Sequence, residues 1–222
     1  MEITISPSLK NLIPGFKLGV ITYSNIDVAD SPQMVKGRLQ LFQENIFFDL
    51  QEKEFSDYEG LKEWKAAFKA VGTDPNRYRP SVEALYRRIK KQNYIGTINS
   101  AADINNFFSL QYEVPIGIYD VEHLAGDTVE IRIGTVNDEY EGINGRIVSM
   151  DKKILSSDMQ GAFGSPIVDS ARSAVTTSTQ NAIQLVYLRP SMDIEESLKL
   201  VKSLKDMFLQ IHGGEATTSI IS

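Results

Sequence analysis

The 222 residues are 42% hydrophobic and 23% charged, with a formal net charge of -6 and no cysteine. Such a chain can bury a sizeable core, and the missing cysteines exclude disulfides, thiolate metal ligands and cysteine nucleophiles. The acidic balance argues against indiscriminate nucleic-acid binding, although a local basic face can still hold a phosphate backbone.

From the N-terminus, the opening residues show neither a basic leader nor a continuous apolar run, and no uncharged stretch approaches membrane-spanning length. The expectation is a soluble, cytoplasmic protein with no membrane partner. Residues 16–23, FKLGVITY, mix β-branched and aromatic side chains and predict a buried strand. Over 31–49, Ser31-Pro32 opens a helix carrying Met34, Val35, Leu39 and Phe42, whose C-terminal end reads as helix or strand. In 56–72, Tyr58, Leu61, Trp64, Phe68 and Val71 form one helical stripe that Gly72 terminates. A further helix starts at Ser81, with Val82, Leu85, Tyr86 and Ile89 at i, i+3, i+4 and i+7, and another spans Ile104, Phe107 and Phe108.

The second half is rich in strands. Residues 114–120 and 128–133 lead it, and Val129, Ile131 and Ile133 alternate with Glu130 and Arg132. GRIVSMD, the glycine-bearing QGAFGSP and AIQLVYLRP follow, with Pro190 ending the last strand. A C-terminal helix over 191–212 places Ile194, Leu198, Val201, Leu204, Phe208 and Ile211 on one stripe, and Gly213 closes it. The class is α+β, with helices flanking a mixed or antiparallel sheet in one domain over 1–212. Residues 213–222 read as a short mobile tail.

Few residues suit chemistry. His123 and His212 are far apart with no cysteine between them, so no metal and no cofactor is expected. His212 reads as a cation at a helix C-terminus. His123 sits in a loop with no nucleophile motif beside it. Gly161 and Gly164 lack the lysine and the strand-to-helix setting of a phosphate loop; they read as a turn between strands or as a backbone-lined pocket wall. Asp103, Asn105 and Asn106 open a helix, where capping is the simplest role. Asn106 lies next to Phe107 and Phe108, and a buried amide there needs a partner that a ligand can supply.

Basic residues concentrate in one place. Arg77, Arg79, Arg87, Arg88, Lys90 and Lys91 fall within fifteen residues against a single acid, Glu83. Arg87 follows Glu83 by four and reads as its helix partner. Arg88 borders the apolar stripe and reads as a clamp. The group as a whole is either a solvated face or an edge that contacts phosphate.

SVEALYRRI, INSAADINNFFSLQYEVPIGIYDVEHLAGDTVEIRI and STQNAI, in that order, resemble the B3/B4 domain of the phenylalanyl-tRNA synthetase β subunit, over about 68–187. Asp103, Asn106, Pro115, Asp120 and Arg132 occupy matching places, and GTDPNRYRPSVEAL looks like the archaeal, eukaryotic and free-standing branch. The resemblance implies an α+β domain whose cleft hydrolyses amino acids mischarged onto tRNA. A chain of this length has no room for the other synthetase modules. The resemblance therefore implies a trans-acting editing deacylase with the tRNA acceptor end and a small amino acid as partners.

The same resemblance implies a pocket formed by Asn105, Asn106, Gly117, Gly164, Pro166, Thr179 and Asn181, with Arg77, Arg79, Arg87, Arg88 and Lys91 facing RNA. Two positions depart from the bacterial pattern. Gly117 stands where that branch has a histidine and Pro166 where it has a glutamate. That leaves Glu122, His123, Asp158 and Asp169 as substitutes for the lost side chains, and it opens the alternative of a binding module without catalysis.

Overall fold

The computed structural model describes residues 1–222. Its elements run β1 (Glu2–Ile5), α1 (Pro7–Leu12), β2 (Lys17–Ser24), α2 (Gln33–Asp49), α3 (Glu59–Ala70), α4 (Ser81–Lys90), α5 (Ser100–Tyr112), β3 (Ile116–Asp120), β4 (Thr128–Ile133) and β5 (Glu139–Glu141). There follow β6 (Ile147–Ser149), β7 (Ile154–Asp158), β8 (Gly161–Gly164), β9 (Ala182–Leu188), α6 (Ile194–His212) and β10 (Glu215–Ile221).

The period-2 pattern of the strands sorts their side chains into layers. In β2, Leu18 and Val20 point one way and pack with Ile183, Leu185 and Tyr187 of β9, Val129 and Ile131 of β4, and Phe163 of β8. This is the layer between the sheets β10-β2-β9-β3 and β1-β4-β7-β8. Ile21 and Tyr23 point the other way and meet Ile104 and Phe108 of α5 and Leu200, Val201, Leu204 and Phe208 of α6. Gly19 lies on that same face, where a Cβ would overlap Val201, so its small size lets α6 sit close to the sheet. A third core, built from Leu39, Ile46, Leu61, Val82, Tyr86, Ile89 and Leu110, holds α2, α3, α4 and α5 together. The α+β class is as the sequence pattern requires.

The end of α2, ambiguous in the sequence, is helical to Asp49. Gln43 supports it from inside: its Oε1 accepts the Ile95 N–H at 2.6 Å and its Nε2 donates to the Ile95 carbonyl at 3.3 Å. Residues 161–164 are a strand, not a turn; the turn precedes them, with Gly161 at φ 125°. The mobile tail also needs correction. Gly213 and Gly214 take φ of 64° and 75°, reverse the chain, and send β10 antiparallel along β2 from Ser24 to Leu18.

His212 is a second correction. It is 3% exposed, its Nδ1 lies 2.8 Å from the Phe208 carbonyl, and its Nε2 lies 2.8 Å from Ser100 Oγ. A carbonyl only accepts, so Nδ1 carries the proton and Nε2 accepts from Ser100: the ring is a neutral clasp between α6 and α5. Burial holds its pKa below the ordinary histidine value. The unfolded chain therefore binds this proton more readily, and stability present above about pH 6.5 is lost as pH falls towards the lower folded value. The stability advantage of the wild-type protein over H212Q, read as the difference between their urea midpoints, is expected to shrink between pH 7.5 and pH 5.5.

Candidate functional site

Helix α4 joins the rest of the fold at two points that set the site. At its start, the Ser81 N–H donates to the Pro166 carbonyl at 2.7 Å, tying the helix to the loop that follows β8. On its inner face Glu83 is fully buried, 2.7 Å from Arg87 Nε, 3.6 Å from Lys65 Nζ and 3.9 Å from Arg79 Nε. A buried carboxylate is tolerated only when paired, and here three cations share it. Arg87 also lies over the Phe55 ring, 4.6 Å from its centroid. Arg79 and Arg87 are thus structural clamps.

Beside this helix lies a cavity of about 970 Å³, bounded by α4, α5, the β5–β6 hairpin and the loop after β8. Its lining includes Arg77, Arg79, Arg87, Arg88 and Lys91 along one side and Arg146 from the hairpin tip. Arg88 reaches the Tyr94 carbonyl at 3.4 Å and Arg77 lies 5.2 Å from the Tyr78 ring centroid. Unlike Arg79 and Arg87, the exposed side chains of Arg77, Arg88, Lys91 and Arg146 have no carboxylate within ion-pair distance. The sequence reading of Arg88 as the clamp and Arg87 as a surface partner is therefore reversed in weight. Position 83 turns inward, and Arg87 follows it.

Asn106 and Ser109 of α5 line the same cavity, as does Asp169. Asp169 is its one carboxylate. The Tyr119 hydroxyl donates to Asp169 Oδ1 at 2.5 Å. Burial raises the Asp169 pKa to about 7, outweighing the opposing hydrogen bonds from Tyr119 and the Ser165 backbone. Gly117 and Gly164 explain why the tyrosine fits. A Cβ built on either would overlap the Tyr119 hydroxyl. Gly117 and Tyr119 share a face of β3, and Gly164 approaches from β8.

Other residues singled out in the sequence lie elsewhere. Asn105 is one helical step, about 100°, from Asn106 and turns towards the sheet, where its Oδ1 accepts from Gln184 Nε2 and Gln184 Oε1 accepts from Tyr23 at 2.7 Å. Thr179 donates to Asp120 at 2.5 Å and Asn181 reaches Glu122 at 3.4 Å, so both brace the end of β3 outside the cavity lining. Gly117, Gly164 and Pro166 act behind the cavity wall through Tyr119 and through the Ser81 bond. Among the four substitutes, Glu122 and His123 are exposed and Asp158 is held by Arg172 at 2.9 and 3.1 Å. Only Asp169 faces the cavity. Arg146 and the hairpin escaped the sequence reading because nothing local distinguishes them; the pair Gly117 and Tyr119, two apart on a strand, was the available signal for Asp169.

No group of three His, Asp or Glu side chains is placed to hold a metal ion. No helix is long and apolar enough to cross a membrane.

Comparison with known proteins bears on the whole chain. The uncharacterized protein YhzB of Bacillus subtilis (strain 168) is 34% identical over 217 residues, covering 98% of each chain. An N-terminal fragment of the phenylalanyl-tRNA synthetase β subunit from Pyrococcus horikoshii is similar in structure, with a TM-score of 0.46 and 13% identity. That similarity covers 100% of this chain and 54% of the fragment, so the chain spans about half of its length. The B3/4 domain family matches residues 63–207. With well over half of its length matched, the chain belongs to the B3/4 domain family.

Proposed function

We propose that the protein is a trans-acting aminoacyl-tRNA deacylase that takes the aminoacylated acceptor end of tRNA into the cavity beside α4. The observation that carries this reading is the cavity's charge arrangement. Unpaired Arg77, Arg88, Lys91 and Arg146 stand around a space whose single carboxylate is Asp169. Phosphates of an RNA end match the cations, and the lone carboxylate stands inside the space where the ester they bring would lie. Cavities of about 300–1,000 Å³ hold ligands of this size. Work on charged tRNA carries with it a cytoplasmic location.

The family resemblance supports the choice of tRNA over other anions. The departure at Gly117 favours a second reading, a binding module without turnover, because no side chain can replace that glycine while Tyr119 keeps its place. Incubation with mischarged tRNAs separates the two. Release of amino acid above the uncatalysed rate supports the deacylase. Thermal stabilisation by charged tRNA without release supports the module.

Replacement of Arg88 and Lys91 by alanine is expected to weaken tRNA binding about tenfold at physiological salt and to lower the salt slope by about 1 to 2. Fluorescence anisotropy at several salt concentrations measures both. An unchanged slope removes these side chains from the RNA interface.

A further inference from the structure

We propose, on the basis of the deacylase reading, that Asp169 is the general base of the cavity and that Tyr119 is the residue that positions it. The geometry gives each oxygen of the carboxylate a different task. Oδ1 accepts the Tyr119 hydroxyl at 2.5 Å, which fixes the orientation of the group. Tyr119 is itself fully buried and held between Phe163, Gly117 and Gly164. Asp169 lines the cavity, leaving Oδ2 available to a water or substrate. A carboxylate so held has the two properties a base needs, a fixed position and a free lone pair.

The step balances as a hydrolysis. Asp169 takes a proton from a water as the water oxygen forms a bond to the ester carbonyl carbon. The tetrahedral intermediate collapses, the bond from that carbon to the ribose oxygen breaks, and Asp169 returns the proton to the leaving oxygen. The products are the free amino acid, whose carboxyl ionises and releases one proton, and a tRNA with a free terminal hydroxyl. Asn106, on the cavity wall, is the neutral side-chain donor nearest in chemistry to an oxyanion site, whereas the Ser109 hydroxyl is committed to the Val114 carbonyl at 2.6 Å.

The groups that face Asp169 set its titration. Tyr119 from β3, Tyr140 from β5 and Tyr187 from β9 surround it as neutral phenols, and the cavity cations stand across the open space. Burial dominates and lifts the carboxyl to about 7, where a base combines an ionised fraction with useful basicity.

The test uses the full chain and mischarged tRNA, with the uncatalysed rate subtracted at each pH. The wild-type rate is expected to rise with pH through about 7 and level off. Asp169→Asn keeps the shape and still accepts from Tyr119; it is expected to lower the rate at least 100-fold and to leave the tRNA Kd within about twofold. Tyr119→Phe removes a bond that favours the ionised form, so its pH midpoint is expected to move upward with the carboxylate retained. This second variant keeps the inference testable if the amide variant does not fold. An Asp169→Asn rate within threefold of wild type, or an unmoved midpoint in Tyr119→Phe, overturns the inference and leaves the deacylase reading standing. Absence of release by the wild-type protein from every charged tRNA overturns both.

Discussion

Arg87→Glu is expected to lower stability by about 2–4 kcal/mol, whereas Arg88→Glu one residue later leaves it within about 0.5 kcal/mol. Arg87 Nε lies 2.7 Å from a carboxylate that has no solvent exposure, so reversal sets a second negative charge against buried Glu83. Lys65 and Arg79 remain at 3.6 and 3.9 Å and absorb part of the cost, and the 40% exposure of the Arg87 side chain admits screening water. These two facts hold the figure below what a fully buried pair would lose. A chain of this size is expected to melt about 5–15 °C lower. Arg88 faces solvent, and under the proposed deacylase function its reversal is expected to weaken tRNA binding instead. Thermal melting and tRNA titration of both variants check the division; equal melting temperatures would remove Glu83 and Arg87 from the foundations of α4.

Gly117→Ala is expected to cost about 1–3 kcal/mol although it adds one methyl group to a strand. The reason is space and not backbone conformation, since Gly117 is absent from the positive-φ glycines. Its Cβ would occupy the position of the Tyr119 hydroxyl, so either β3 shifts or the phenol swings away from Asp169. The same clash stops a histidine at this position from recreating the bacterial arrangement. On a Tyr119→Ala background the cost of Gly117→Ala should shrink, and urea unfolding of the double-mutant cycle measures that coupling. Additive costs would mean that the glycine does not exist for the tyrosine.

These two expectations come from different kinds of information. The stripe Val82, Leu85, Tyr86 and Ile89 on α4, the stripe on α3, and the alternation in β4 were legible because a helix repeats every 3.6 residues and a strand every two. Those periods are local, and burial respects them: Val82, Tyr86 and Ile89 are all buried. The basic character of the segment from Arg77 to Lys91 was equally legible. So was the family, since it is carried by the order of short segments.

The inward turn of Glu83 was not legible, because on α4 alone it looks like one more polar residue. It is buried because α3 brings Lys65 across to meet it. The same holds for Asp169, which no motif marks; β3, β8 and the loop after β8 must pack before Tyr119 reaches it through the gap two glycines leave. His212 changed from an expected surface cation to a buried neutral ring because Ser100, far away in sequence, closes over it. The tail became an edge strand because β2 had a free side to pair. The sequence by itself determined the elements, their class and the family, since these depend on near neighbours along the chain. Tertiary structure alone decided which charges are structural, which face the cavity and which carboxylate stands within it, because burial and pairing are set by residues that meet only after folding.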